Sequence, residues 1–399
     1  MQAVPGIVLA LLAASVSASI AAPASADGAR PVRNGTTVAY MPPMATSNEA
    51  DATQLDLARL QGAAYGQAVD WELAGAMWSQ RREAGEFNIA AALSRGEGAW
   101  RYHDGELTWT PAPEGTLHLR LFTADAGDGR FVPDLSIQVQ LLDAGGHALQ
   151  TLPVPYGIYP LTDAYGTNLT LPAAATAMAV RVAPLMIERH DPYNGDRYTH
   201  TTLARFELPA QRTPPPGAST ASERAEQPPP QLAAAQNEAL DKTMKAMWKQ
   251  ANDGAQQRAG DYLVDYAVEY AEAYWEPEGT GFGYTMENER SAEHNAHIEA
   301  APRDAATGRF LPDVKVIATL RRSDGSDGSA AGRHAVPMMW HSWLYHYGKN
   351  WRVPASGDYR LHLHIDPPPA PRYGQRNGRR MAQPVDVTFA PVHILTGEK

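Results

Sequence analysis

Apolar and polar positions alternate with period two over much of this chain, and that alternation predicts strands. Tyr262, Val264, Tyr266, Val268 and Tyr270 alternate with smaller or charged residues, giving a strand with one bulky face. Short aliphatic runs at 117–122, 135–142 and 177–182 are separated by Gly, Pro and Asp turns, the spacing of an antiparallel sandwich. Helical spacing occurs twice. Leu55, Leu57 and Leu60 follow Asp51, a residue suited to an N-cap, so a helix is expected from Asp51 to about Gly62, with strands from Ala64 onward. Leu232 to Gln250 carries Ala, Leu, Met and Lys at helical spacing and predicts a second helix. Between the two patterned regions, Thr213-Pro214-Pro215-Pro216 and Pro228-Pro229-Pro230 bracket polar residues, an expected extended linker without a core.

The halves on either side of that linker repeat one another. His118-Leu119-Arg120 stands eleven residues before Gly129-Arg130-Phe131-Val132-Pro133-Asp134. His297-Ile298-Glu299 stands eleven before Gly308-Arg309-Phe310-Leu311-Pro312-Asp313. Further on, Tyr165-Gly166-Thr167-Asn168 matches Tyr347-Gly348-Lys349-Asn350, and Arg189-His190 matches Arg372-Tyr373. The offset drifts from 179 to 182 to 183, as it does when one β-domain is duplicated and insertions accumulate in its turns. The period is too long for a solenoid. The expected organisation is a signal peptide at 1–26, an arm and helix at 27–63, a first sandwich at 64–210, the linker at 211–232, a helix at 233–257 and a second sandwich at 258–399, all-β apart from the helical segments before each sandwich.

Composition narrows the function. Residues 7–20 are apolar and small, and Ala24-Ser25-Ala26 fits the cleavage rule of a secretory signal, so a periplasmic location is expected. No other stretch is apolar enough to span a membrane. The chain has no cysteine, which excludes disulfides, thiolate zinc sites and iron–sulfur clusters. Its net charge of -10 argues against nucleic acid and suits a protein that handles cations. It has no Ser elbow, phosphate loop or HExxH motif, so hydrolytic chemistry has no carrier.

What remains is a donor set in the second half: His297, Glu299, Met339 and His346. Imidazole accepts Cu(II) and thioether accepts Cu(I), so this mixture suits copper before zinc or calcium. Glu299, two residues from His297 on a strand, shares its face and either ligates or orients an imidazole. The competing reading makes these buried polar residues satisfied by their neighbours, with Met339 as core filler. In the first half Arg120 replaces the carboxylate, Gly157 the thioether and Ala164 one imidazole. His362 and His364 fall on one strand face and read as structural or solvent-exposed; His334 and His341 are surplus to the set.

These residues resemble the periplasmic ferrous-iron transport proteins, the pathogen-specific membrane antigen family. The shared pattern is His-x-Glu, a Met seven residues before His346-Tyr347-Gly348-Lys349-Asn350, and a late Arg-His. It covers 258–395 well and 64–208 more loosely. The resemblance implies immunoglobulin-like sandwiches, homodimerisation, copper at the motif, iron held nearby by carboxylates, and an inner-membrane iron permease as partner; no motif assigns the iron ligands here, and Glu269, Glu272 and Glu299 are the candidates. In this tandem chain the two halves are expected to pair as an intrachain pseudo-dimer. The late histidine of the first half, His190, would then complete the site with His297, Met339, His346 and Glu299; the alternative is a surface His190 in a polar loop beside Asp191. Three functions stay open: a metal-binding accessory of iron uptake without turnover, a copper redox protein acting on iron, and a metal-free interaction module.

Overall fold

The computed structural model describes residues 44–396 apart from 104, 192, 216, 280, 286–293 and 324–331. The segment read as a signal peptide, and Met41 to Pro43 of the arm, lie outside the described residues. All described residues fall within one unit spanning Val32–Lys399.

Helix α1, Ala52–Ala74, starts where Asp51 and Gln54 form a capping box: the Gln54 backbone N–H donates to Asp51 at 2.8 Å, and the Asp51 N–H donates to the Gln54 side chain at 2.7 Å. The helix was expected to end near Gly62 but runs twelve residues further, and the first strand begins only at Trp78. The reason is a buried stripe, Leu55, Ala58, Gly62, Tyr65, Val69 and Glu72, alternating by three and four residues. Gly62 does not end the helix; it lets the helix approach the Asp128–Gly129 turn, where a Cβ would lie 1.9 Å from the Asp128 carbonyl oxygen. The linker is also more ordered than expected. It holds a short helix α2, Ala221–Ala225, with Ala221, Ser222 and Ala225 buried, and α3, Pro230–Gln250, begins within its last residues. Pro230 sits at the first turn, where its missing N–H costs nothing.

Among the described residues the rest of the regular structure, a 3-10 turn at Asn377–Arg379 apart, is β, in two eight-stranded and two four-stranded sheets. The first large sheet runs, edge to edge, Trp78–Ala84, Phe87–Arg95, Leu117–Asp125, Asp163–Leu169, Tyr156–Ile158, Arg372–Tyr373, Ala99–His103 and Glu106–Thr110. The second runs Asp253–Ala259, Tyr262–Glu269, Ala296–Asp304, Tyr345–Trp351, Met338–Trp340, Glu188–Arg189, Tyr274–Glu278 and Gly281–Thr285. The orders correspond strand for strand, except that each sixth strand comes from the other half of the chain. Arg372–Tyr373 pairs in parallel with Tyr156–Ile158, and Glu188–Arg189 pairs in parallel with Met338–Trp340. The small sheets, one within 137–207 and one within 316–394, are wholly local to their halves. One continuous apolar core joins side chains from all four sheets with both long helices.

Reciprocal contacts accompany the exchanged strands. Arg130 donates to the Ser342 carbonyl at 2.9 Å, and Arg309 donates to the Tyr159 carbonyl at 2.9 Å. Gln61 on α1 donates to the Trp343 carbonyl at 3.0 Å, and Gln236 on α3 donates to the Leu161 carbonyl at 3.1 Å. The repeated Gly-Arg-Phe turns thus reach across to the opposite half.

Candidate metal centre

The strand Ala296–Asp304 carries His297 and Glu299 on one face and pairs with Tyr345–Trp351, which sets His297 opposite Asn350 and Glu299 opposite Gly348. The next strand sets Met339 opposite His346, so their side chains share a face. The exchanged strand Glu188–Arg189 lies alongside, and its continuation is held where the His190 backbone N–H donates to the Trp340 carbonyl at 3.0 Å. Three strands of one half and one strand of the other therefore converge on one spot. Gly348 makes that spot possible: a Cβ there would come within 2.5 Å of His297 Nε2 and 2.8 Å of His346 Cδ2.

His190, His297 and His346 each offer a ring nitrogen, and these atoms lie within 4.8 Å of one another. The ring centroids are 4.9 Å apart for His190 and His297, 5.4 Å for His190 and His346, and 5.7 Å for His297 and His346. All three residues are buried, His190 despite its place in a polar loop. Glu299 Oε1 lies 3.5 Å from His346 Nε2 and 3.8 Å from His297 Nε2. Met339 is fully buried on the same sheet.

Asn350 sets the chemistry of His297. Its Nδ2 donates to the Glu272 carbonyl at 2.7 Å, which turns Oδ1 towards His297 Nδ1 at 2.8 Å. His297 Nδ1–H donates to that oxygen, and Nε2 is left with its lone pair facing the other imidazoles. Burial holds the imidazoles neutral: His297 is lowered to about 4, and His190 and His346 are driven well below the usual histidine value, first by burial and then by their neighbouring rings. Burial, with Glu269 and Glu49 adding like charge, pushes the Glu299 carboxyl well up. Five ring nitrogens of the three histidines, and Glu299 Oε2, make no hydrogen bond. Neutral imidazoles with unused lone pairs around a buried carboxyl form a donor set that fits a transition-metal cation.

His341, set aside in the sequence reading, belongs to the same cluster: its ring is 5.5 Å from His190 and 6.1 Å from His346. Glu49 lies beside it, with Oε2 3.8 Å from His341 Nε2. Nothing in the sequence pattern of Glu49 signalled this, because it precedes α1 and lies far along the chain from every other member. Burial raises the Glu49 carboxyl, but the hydrogen bond and charge of His341 outweigh it and leave the group below its ordinary value. His362 and His364 do not join the cluster; they lie in another sheet and pair with Asp386 at 3.2 and 2.9 Å.

The corresponding place in the first half is filled by protein. His118 has both nitrogens engaged, Nδ1 with Asn168 Oδ1 at 2.9 Å and Nε2 with the Tyr159 hydroxyl at 2.8 Å. Tyr159 stacks on Tyr373 at 4.3 Å, in room left by Gly157, whose Cβ would stand 2.6 Å from the Tyr373 ring. Arg120 pairs with Glu72 of α1 at 3.0 Å, both buried.

Residues 258–391 match the family model described as Fe2+ transport protein. No curated protein matches the sequence. Among solved structures, the chain is similar to a copper-bound variant of FetP from uropathogenic Escherichia coli strain F11, at 16% identity over 37% of this chain and 92% of that one, with a TM-score of 0.26. FetP of the same strain as isolated, recombinantly expressed in the periplasm of E. coli BL21(DE3), gives 16% identity over 36% and 95% with the same TM-score of 0.26. A DUF4426 family protein from Pseudomonas aeruginosa PAO1 gives 11% identity over 36% and 99%, with a TM-score of 0.22.

Proposed function

We propose that this chain is a periplasmic metal-binding accessory of ferrous-iron uptake, working beside an inner-membrane iron permease, and that it holds one copper ion. The ligands are His190, His297, His346 and Met339, with Glu299 ligating or orienting them. The observation that carries this is the set of buried imidazole nitrogens without hydrogen-bond partners. A buried polar atom left unpaired costs about 1–3 kcal/mol, and a cation drawn into the cluster would engage several of them together. The match of residues 258–391 to an iron-transport family supports the cargo. Among the described residues no helix is long and apolar enough to cross a membrane, which fits a protein that assists a permease without being one.

The sequence repeats, with the exchanged strands, support an origin by duplication of one sandwich domain. The two halves then stand as a pseudo-dimer, and one of two equivalent sites has decayed into the His118–Tyr159–Tyr373 stack. On this reading the donor that completes the second-half site, His190, comes from the first half.

Copper titration tests the reading. The parent should bind one equivalent, and His346→Ala and Met339→Ala should lose stoichiometric binding while keeping the parent's circular dichroism. Variants that bind as the parent does would place the site elsewhere.

A second reading is favoured by the mixture of imidazole and thioether, which can hold copper in both oxidation states: a copper redox protein that oxidises or reduces iron. Anaerobic addition of ferrous iron separates the two. Bleaching of the Cu(II) spectrum as each Cu(II) oxidises one Fe(II), with the colour returning and iron oxidation continuing once dioxygen is admitted to reoxidise Cu(I), supports the redox protein; stoichiometric copper whose spectrum ferrous iron leaves unchanged supports the accessory.

A further inference from the structure

Where each long helix crosses its large sheet, the two halves differ. In the second half an ion network around the buried Arg303 fills the crossing. Arg303 Nη1 lies 2.7 Å from Asp241 of α3 and 3.4 Å from Asp265, Arg303 Nη2 donates to Asn237 at 3.0 Å, and Gln256 donates to Asp265 at 2.9 Å. Strand register gives the first-half counterparts. Ala90 pairs with Phe122 as Asp265 pairs with Ala301, and Ala124 and Arg303 each stand two residues further on. Gly62 packs on the Asp128–Gly129 turn as Asn237 packs on Gly308, so Gly66 of α1 takes the place of Asp241. Asn237, Asp241, Asp265 and Arg303 are thus Gly62, Gly66, Ala90 and Ala124 in the first half, all of them small.

In place of that network the first half has a pocket of about 420 Å³ between α1 and the sheet, walled by Tyr65, Val69, Ala90, Phe122 and Ala124. Small-molecule sites occupy about 300–1,000 Å³ and are lined mainly by apolar side chains. Gly66 keeps the pocket open. A Cβ there would meet nothing within 4 Å, so no close approach of protein requires a glycine. A glycine in mid-helix is destabilising relative to alanine, and at Gly66 the only thing it provides is space.

The rim of the pocket is polar. Arg81 and Glu83 share a face of the strand Trp78–Ala84, and Asn88 stands opposite Glu83 on the next strand. Arg81 is neutralised by an ion pair with Asp70 of α1. Arg82 also lines the pocket, but its guanidinium is turned to the Arg205 carbonyl at 3.2 Å and lies over the Phe206 ring, 5.8 Å from the centroid. Glu83 is then the charge on the pocket's own face that has no ion-pair partner among the described residues. Its second-half counterpart is Arg258, set opposite Leu263, so this pair of acceptors belongs to the first half alone. We propose that the pocket binds a small primary amine with an apolar body. The ammonium donates to the Glu83 carboxylate and to Asn88 Oδ1, and the body lies against Val69 and Phe122. An ammonium has three donors and no acceptor, which matches two acceptors side by side, and the net charge of -10 favours a cation over an anion with the same body.

Calorimetric titration of the full chain at pH 7 with octylamine, octanol and octanoate tests this, because the three probes share a body and differ in the head. The parent should bind one octylamine, at least tenfold more tightly than octanol or octanoate. Glu83→Gln should remove that preference and bind octylamine and octanol alike. Gly66→Leu, which fills the pocket from the helix without a clash, should weaken octylamine at least tenfold while melting no lower than the parent. His346→Ala should bind octylamine as the parent does, since the pocket is separate from the histidine cluster. No octylamine uptake by the parent, equal affinity for the three heads, or a preference for octanoate would overturn the proposal. So would parent-like binding by folded Gly66→Leu, an amine preference retained in Glu83→Gln, or octylamine binding lost in His346→Ala, which would put the amine on the histidines or their metal.

Discussion

Gly348 is a glycine because two imidazoles occupy the space a side chain would need. A Cβ would meet His297 Nε2 at 2.5 Å and His346 Nε2 at 3.0 Å, closer than real contacts allow, so one ring or both must turn away. Gly348→Ala is expected to lose copper binding while secondary structure persists, read by titration beside circular dichroism. Asn350 acts one step further out: it fixes which nitrogen of His297 carries the proton and ties the strand to the Glu272 backbone. Removing a partner of this kind costs about 10–100-fold in metal affinity, and Asn350→Ala should fall in that range by competition with a copper chelator. Parent-like affinity in either variant would show that the imidazoles are not held for a metal.

Among elements, the short exchanged strands are the ones that bring residues of one half into the sheet of the other. Glu188–Arg189 is only two residues long, yet it delivers His190 to a cluster whose other histidines lie in the second half. Strands this short gain little from their own ladder, so the neighbouring loops must hold the register. Arg130 does this from the repeated Gly-Arg-Phe turn, bonding the carbonyls of His341 and Ser342 while its Nε pairs with Asp128 at 2.9 Å in a buried setting. Truncating one partner of a buried pair leaves an uncompensated charge and costs about 3–5 kcal/mol. Arg130→Ala should therefore lower the unfolding free energy by an amount in that range, read as a lower denaturant midpoint at unchanged slope; a loss under 1 kcal/mol would mean that the turn is not what joins the halves.

At the level of the whole molecule, stability responds to pH through groups of opposite sign. His118 and His297 are lowered to about 3 and about 4 from 6.5, so the unfolded chain takes up their protons first and acid below pH 6.5 destabilises the fold. Glu97 works the other way. Burial, against the charge of Arg120, raises it from 4.5 to about 7. Its stabilising contribution is fully present below pH 4.5 and is lost as pH rises through 7, a change on the order of 3 kcal/mol. Glu97→Gln keeps the shape and removes the titration. Thermal melting should show the variant gaining on the parent as pH rises from 5 to 8, and parallel curves would show that Glu97 ionises freely. Copper, binding only the folded chain, should raise the melting temperature further, and at a hundredfold excess over its Kd the gain is about 2.7 kcal/mol.

Period-two alternation, the two helical stretches and the paired motifs could all be read along the chain, because side-chain direction within one strand follows from local backbone geometry. The same geometry put His297 with Glu299, and the resemblance carried by those residues agrees with the iron-transport match at 258–391. The length of α1 could not be read this way. Gly62 looks like a stop signal in the sequence, and only the close approach of the Asp128 turn explains a glycine in mid-helix. That His190 sits among His297, His341 and His346 depends on a two-residue strand pairing with the opposite half, and no local periodicity encodes a partner so far away. Glu49 enters the cluster because its segment is tied down by bonds from Ala45 to Asn194, from Ser47 to Asp191 and from Trp343 to the Glu49 carbonyl, and the first half closes over His118 through the stacking of Tyr159 on Tyr373. The sequence by itself determined which residue types were on hand and which faces they took; only the packing of the halves decided which of them met, because contacts between distant segments are selected by the shared core.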